Sequence, residues 1–131
     1  MTERTTTAWT DDELDKVGGA EELQVSSLRA DGSLRPFVTI WVVRVGDDIY
    51  VRSAYGRDNG WFRRALADPR GRIRAGGVEK DVAFVEPDGS VHPALDAAYH
   101  AKYDRYGPAI VGSVTGAGGA AATFRLDPLP S

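Results

Sequence analysis

Between residues 49 and 64 the chain sets cations, hydroxyls and aromatic rings at spacings that suit capture of a small anion. Tyr50 and Arg52 share one face of a strand by their two-residue spacing, and Ser53 stands at its end. Arg57, Asn59 and Gly60 lead into a helical stretch bearing Trp61, Arg63 and Arg64. A strand end and a helix N-terminus beside arginine and serine allow backbone N–H groups, side-chain donors and a fixed cation to converge on a phosphate. Thr39 and Trp41, two apart on the preceding apolar segment, add a hydroxyl and a ring. The same residues would equally make a solvated basic rim, and residue types alone leave both readings open.

A second group lies near the C-terminal third. Tyr99, Tyr103 and Tyr106 are four and three residues apart, a helical stripe that core or interface packing explains as well as a ligand pocket does. His100 stands off that stripe and could act as a general base near neutral pH, but no partner acid or nucleophile accompanies it. For chemistry without a cofactor, such as an isomerase or cyclase, the candidates are Tyr99, His100, Lys102 and Tyr103. His92, just before Pro93, reads as a turn or capping residue. The run Gly112–Gly119 lacks the Gly-Lys-Ser/Thr ending of a phosphate loop and reads as a flexible connection. Asp47-Asp48 fits a hairpin tip, and Asp11-Asp12-Glu13 fits the first turn of a helix. With no cysteine and two histidines, no metal centre is expected.

These groups need a frame to hold them. Thr10 and Glu13 spell a capping box, with Trp9 and Leu14 at the staple positions, and Gly18-Gly19 end that helix. Period-two patterning predicts strands over 23–27, 37–45, 49–53, 70–75, 78–86 and 122–126. Gly46-Asp47-Asp48 and Gly76-Gly77 are the hairpin signals. The segment 37–45 is apolar on both faces, as for a barrel wall that also meets a partner subunit. Further helices are expected from 58 or 59 to Pro69, and from Pro93 to Gly107-Pro108. About six short strands, mostly joined by hairpins, and about three short helices favour a mainly β (α+β), mostly antiparallel barrel.

The 131 residues suit one domain, 1–131, with 1–8 frayed. A net charge of −3 argues against nucleic acid or an acidic membrane as partner, while the central arginines suit a small-molecule anion. No basic-then-apolar leader and no apolar run of about 20 residues is present, so the expected location is the cytoplasm.

The segment Ser26–Val43 resembles the opening strand pair of deazaflavin-dependent nitroreductase-like proteins. Gly-Asp-Asp-Ile-Tyr-Val-Arg-Ser-Ala-Tyr-Gly (46–56), Trp61 and Ala-Asp-Pro (67–69) resemble that group's hairpin, helix and stop. Over nearly its whole length the chain is similar to the bacterial domain-of-unknown-function family 2255, through Tyr99-His-Ala-Lys102-Tyr103 and Ala-Thr-Phe-Arg-Leu-Asp-Pro (122–128). The resemblance implies a six-stranded split β-barrel of the flavin- and deazaflavin-binding superfamily. It implies a homodimer holding flavin mononucleotide, a deazaflavin or sometimes haem near the subunit interface. Arg35 and Thr39 match the basic and threonine positions of the first strand pair; Arg52, Ser53, Arg57 and Trp61 match the second strand and helix start. With Trp41 and Arg64, these make the expected cofactor-binding set. Arg64-Ala65 stands where that group has Asn-Leu, and Leu-Arg-Ala-Asp-Gly where it has Gly-Arg-Lys-Ser-Gly. The function implied is a flavin- or deazaflavin-dependent oxidoreductase acting on a small organic substrate. A cofactor-free binding or accessory protein using the same groove is the alternative.

Overall fold

Thr10 accepts from the Glu13 backbone N–H at 3.1 Å while the Glu13 carboxylate takes the Thr10 N–H at 3.0 Å, and this reciprocal pair starts α1 (Asp11–Gly19). Trp9 and Leu14 are both buried in the core, and the Trp9 indole donates to the Leu126 carbonyl at 2.9 Å. The structure, a computed structural model, describes residues 8–54 and 56–130. The fraying expected at the start falls almost wholly outside them.

The strands are β1 (Leu23–Ser27), β2 (Val38–Ile40), β3 (Val43–Val45), β4 (Asp48–Arg52), β5 (Arg70–Ala75), β6 (Val78–Val85) and β7 (Thr123–Pro128). They form one curled sheet in the order β2-β1-β5-β6-β7-β4-β3, with every neighbouring pair antiparallel. This is the mostly antiparallel split-barrel architecture expected, curled as a half-barrel and with seven strands rather than six. The difference lies in 37–45, which is two strands and not one. Val38 pairs with Val25 of β1, whereas Val43 pairs with Tyr50 of β4, so the two halves occupy opposite edges of the sheet. Trp41 and Val42 form the corner that joins those edges. There the ladder partners are replaced by Tyr103: the Val42 N–H donates to its hydroxyl at 3.0 Å, and that hydroxyl lies 2.8 Å from the Glu21 carbonyl. Within the chain Thr39 and Arg44 are exposed, and the strand covered on both faces is β4.

The helices after α1 are α2 (Gly60–Ala67), α3 (His92–Tyr103), α4 (Pro108–Gly112) and α5 (Gly116–Ala121). Two corrections follow. The third helix stops at Tyr103, and Tyr106 sits in the 3-10 turn after it. The glycine-rich run is not a flexible connection but holds the end of α4 and most of α5. A Cβ on Gly119 would stand 2.3 Å from the Val114 carbonyl, so glycine there lets the backbone double back on itself.

Side-chain alternation along β4 divides the interior. Ile49 and Val51 enter the barrel core with Leu23, Phe62, Ile73 and Phe124. Tyr50 faces the other way, toward Leu95, Tyr99 and Tyr103 of α3, and Arg52 points the same way.

Candidate functional site

Two hollows flank the start of α2. The first, about 340 Å³, is an aromatic cleft between β2 and α4; Thr39, Trp41, Arg52 and Trp61 line it with Asn59, Ile110, Ser113 and Val114. Trp41 stacks on Tyr103, with ring centroids 4.0 Å apart and planes 4° from parallel, which fixes its outer face toward the cleft. Trp61 is braced edge-on by Phe62. The second hollow, about 560 Å³, lies on the other side of the same helix start and is lined by Arg35, Gly60, Arg63, Arg64 and Asp68 over Leu28 and Ala30. Asn59 thus faces one hollow and Gly60 the other.

The structure separates the expected cofactor set into three groups. Thr39, Trp41, Arg52 and Trp61 share the cleft; Arg35 and Arg64 share the cationic hollow; Ser53 and Arg57 lie in neither. The Ser53 hydroxyl donates to the Gly56 carbonyl at 2.7 Å. Arg57 bonds Glu86 at 2.8 Å and the Ala121 carbonyl at 2.5 Å, with its guanidinium over the Phe62 ring. Both are engaged locally, Ser53 with the Gly56 carbonyl and Arg57 through Nη1, and neither lines a hollow.

Arg52 reaches the cleft only as part of its floor. Its side chain is 0% exposed and all three nitrogens are engaged: Nε with Thr123 Oγ1 at 3.0 Å, Nη1 with Asp96 at 2.5 Å and the Val114 carbonyl at 2.9 Å, Nη2 with His92 Nδ1 at 3.1 Å. A guanidinium has only N–H groups to offer, so His92 Nδ1 is the acceptor and the ring is neutral at that nitrogen. Burial, then the Arg52 charge, holds the His92 pKa below its ordinary value. Asp96 also takes the Gly116 N–H at 3.3 Å, which ties the 113–116 wall of the cleft to α3. His92 is therefore not a simple turn residue. The signal that could have found this group was the i,i+4 spacing of His92 and Asp96, which puts both on one helix face.

Of the four cofactor-free catalytic candidates only Lys102 and Tyr103 share a partner, the Val42 carbonyl at the β2–β3 corner, and they do so away from both hollows. Tyr99 and Tyr103 are fully buried, and burial drives both phenols up, Tyr103 to about 12. Lys102 donates to the Gly18 and Val42 carbonyls at 2.9 and 2.7 Å, and burial brings its pKa down to about 8. His100 is on the outer surface, 2.7 Å from Asp104. None of the four lines either hollow. Among the described residues no group of carboxylates and histidines could hold a metal, and no helix is long and apolar enough to cross a membrane.

Several solved structures share this fold. The haem storage protein of Vibrio cholerae matches with TM-score 0.60 at 17% identity, over 86% of this chain and 84% of that one. A putative pyridoxamine 5′-phosphate oxidase from Listeria innocua matches with TM-score 0.59 at 11% identity, over 92% of each chain. An F420 reductase matches with TM-score 0.55 at 14% identity, over 94% of this chain and 96% of that one. At such identities the likeness is one of fold, the split barrel. No sequence among the curated proteins matches. A family model does match, over residues 13–126, and by it the chain belongs to the family described as an uncharacterized protein conserved in bacteria, DUF2255.

Proposed function

We propose that this chain binds a flavin-type cofactor, flavin or deazaflavin, at the start of α2 and with it oxidises or reduces a small organic substrate. The observation that carries the reading is the two-sided lining of that helix start: tryptophan rings and aliphatic side chains on one side, arginines without partners on the other. A planar ring with an anionic tail has the same two halves. The residues present fit such a group, because Arg35 Nε is sealed from solvent and has no acceptor. Split-barrel relatives include an F420 reductase and a putative pyridoxamine 5′-phosphate oxidase, which supports the same class.

The bound group would supply the hydride chemistry, which suits a cleft without an acid–base pair. The chain's own part is to bind and orient: Trp41 and Trp61 flank the ring, Thr39 offers a hydroxyl at its edge, and Arg35 and Arg64 hold the anionic end. Haem fits less well, since no described residue lining the cleft is His, Cys, Met or Tyr. We also propose a homodimer, because Tyr106 and Ile110 stay 43% and 48% exposed next to the cleft, where a second copy would cover them.

Dialysed protein titrated with flavin mononucleotide and with a deazaflavin tests the reading. Quenching of tryptophan fluorescence with micromolar affinity, weakened in Trp41→Ala, is the expected result. No quenching by either compound overturns it and leaves the cofactor-free binding protein.

A further inference from the structure

The arginines of this chain divide sharply by how they are used. Every other described arginine except Arg70 donates a side-chain hydrogen bond or makes an ion pair. Arg35, Arg63 and Arg64 do neither, and these three face one hollow. The backbone of Arg35 is nonetheless firmly held: its N–H donates to the Ser27 carbonyl at 3.1 Å, and its carbonyl accepts from Ser26 Oγ at 2.5 Å. A cation on a pinned backbone with a buried, unmatched Nε is a donor set awaiting an acceptor. Gly60 adds to it. A Cβ there would stand 2.9 Å from Arg64 Nη1, so glycine lets the guanidinium lie over the first turn of α2 without being displaced. Asn59, at the N-cap, makes no side-chain capping bond, so the first amides of that turn also keep their donors.

We infer that this hollow is a phosphate-binding site, formed by Arg35, Arg63 and Arg64 with Gly60, and that it takes the phosphoryl end of a small organic molecule. Three guanidiniums against the single carboxylate of Asp68 leave an excess of positive charge, which matches a phosphate monoester. The forked donors of arginine fit phosphate oxygens in a way that lysines would not. At about 560 Å³ the hollow also has room for the carbon skeleton that carries the phosphate. The inference rests on the cofactor reading only in assigning that phosphate to the same ligand; the site itself stands on the hollow.

Inorganic phosphate is the probe, at constant ionic strength with chloride as reference. Phosphate should raise the melting temperature of the wild type above its value in chloride. Arg64→Gln or Arg63→Gln should weaken phosphate binding about tenfold, as expected for loss of one charge-assisted contact. Arg70→Gln, which removes a free arginine outside the hollow, should not. Gly60→Ala supplies a test without charge removal: it should keep the melting temperature in chloride while lowering phosphate affinity, because it displaces the Arg64 head group. No protection by phosphate beyond chloride, or equal loss in Arg70→Gln, overturns the inference. If phosphate protects but neither flavin nor deazaflavin binds, the site stands and the cofactor reading falls. If flavin mononucleotide and riboflavin bind alike and phosphate does nothing, ring binding in the aromatic cleft stands, and this site falls together with the anionic anchoring by Arg35 and Arg64.

Discussion

At the residue scale, the arginines show where sequence reading succeeds and where it ends. The concentration of guanidiniums around residues 52–64 is plain in the sequence, and so is its fitness for an anion. Which of them are free is not, because that depends on partners far along the chain. Arg52 meets Asp96 and Thr123, 44 and 71 residues away, and is consumed by them. Arg63 looked like one cation among many and proves to be unpartnered. The Arg52 group also makes a prediction about pH. His92 accepts from Arg52 and faces Asp96 from its own helix, and its pKa lies below the ordinary value. As pH falls through about 6.5, the unfolded chain takes up a proton that the folded chain refuses, so stability falls with pH in that window. His92→Asn can keep an acceptor for Arg52 without titrating. Urea midpoints at pH 7 and pH 5 should therefore drop in the wild type and change much less in His92→Asn.

At the element scale, hairpins and caps were legible because their signals are local. The capping box at Thr10, the turn at Gly76-Gly77 and the stop at Pro69 all stand where the sequence puts them. The corner at Trp41-Val42 was not legible. An apolar run reads as a strand at every position, and the bend depends on Tyr103, about sixty residues later, to satisfy Val42. A similar dependence links β5 to the cationic hollow. Gly71 lies opposite Ser27, and a Cβ on it would stand 2.0 Å from the Ser26 carbonyl and 3.0 Å from the Phe84 ring. Backbone cannot yield as a flexible side chain does, so Gly71→Ala must push β1 away from β5. Because Ser26 and Ser27 hold the Arg35 backbone, the displacement reaches the site. Gly71→Ala is expected to cost about 2 kcal/mol or more and to weaken phosphate binding as well. Denaturant titration and the phosphate melting shift together check this; a stable variant with unchanged phosphate response would show that β1 does not set Arg35.

At the scale of the whole molecule, one cluster joins α1, the β2–β3 corner and α3. Lys102 bonds the Gly18 carbonyl at the end of α1 and the Val42 carbonyl at the corner, and Tyr103 bonds the same corner from the next position on α3. The edges of the half-barrel are tied by groups that titrate in the alkaline range, and the signs of their effects oppose each other. Burial lowers the folded-state pKa of Lys102 to about 8, against about 10.4 for an exposed lysine. Between those values the unfolded chain binds a proton that the folded chain does not, so the burden of a buried ammonium is relieved and stability rises with pH. The neutral amine still has two N–H groups for the two carbonyls. Burial raises the phenols of Tyr99 and Tyr103, the latter to about 12, so above about 10 the unfolded chain ionises first and stability falls. The stability profile should therefore climb above pH 8, turn over near pH 10 and then decline. Lys102→Met should remove the climb and leave the decline, whereas Tyr103→Phe should lower stability at every pH by freeing Val42 and make the decline shallower. Guanidinium unfolding at half-unit steps from pH 7 to pH 11 resolves both arms. A wild-type profile flat between pH 8 and pH 10 would mean that Lys102 keeps its charge in the folded state and that its hydrogen bonds, not its burial, dominate at this corner.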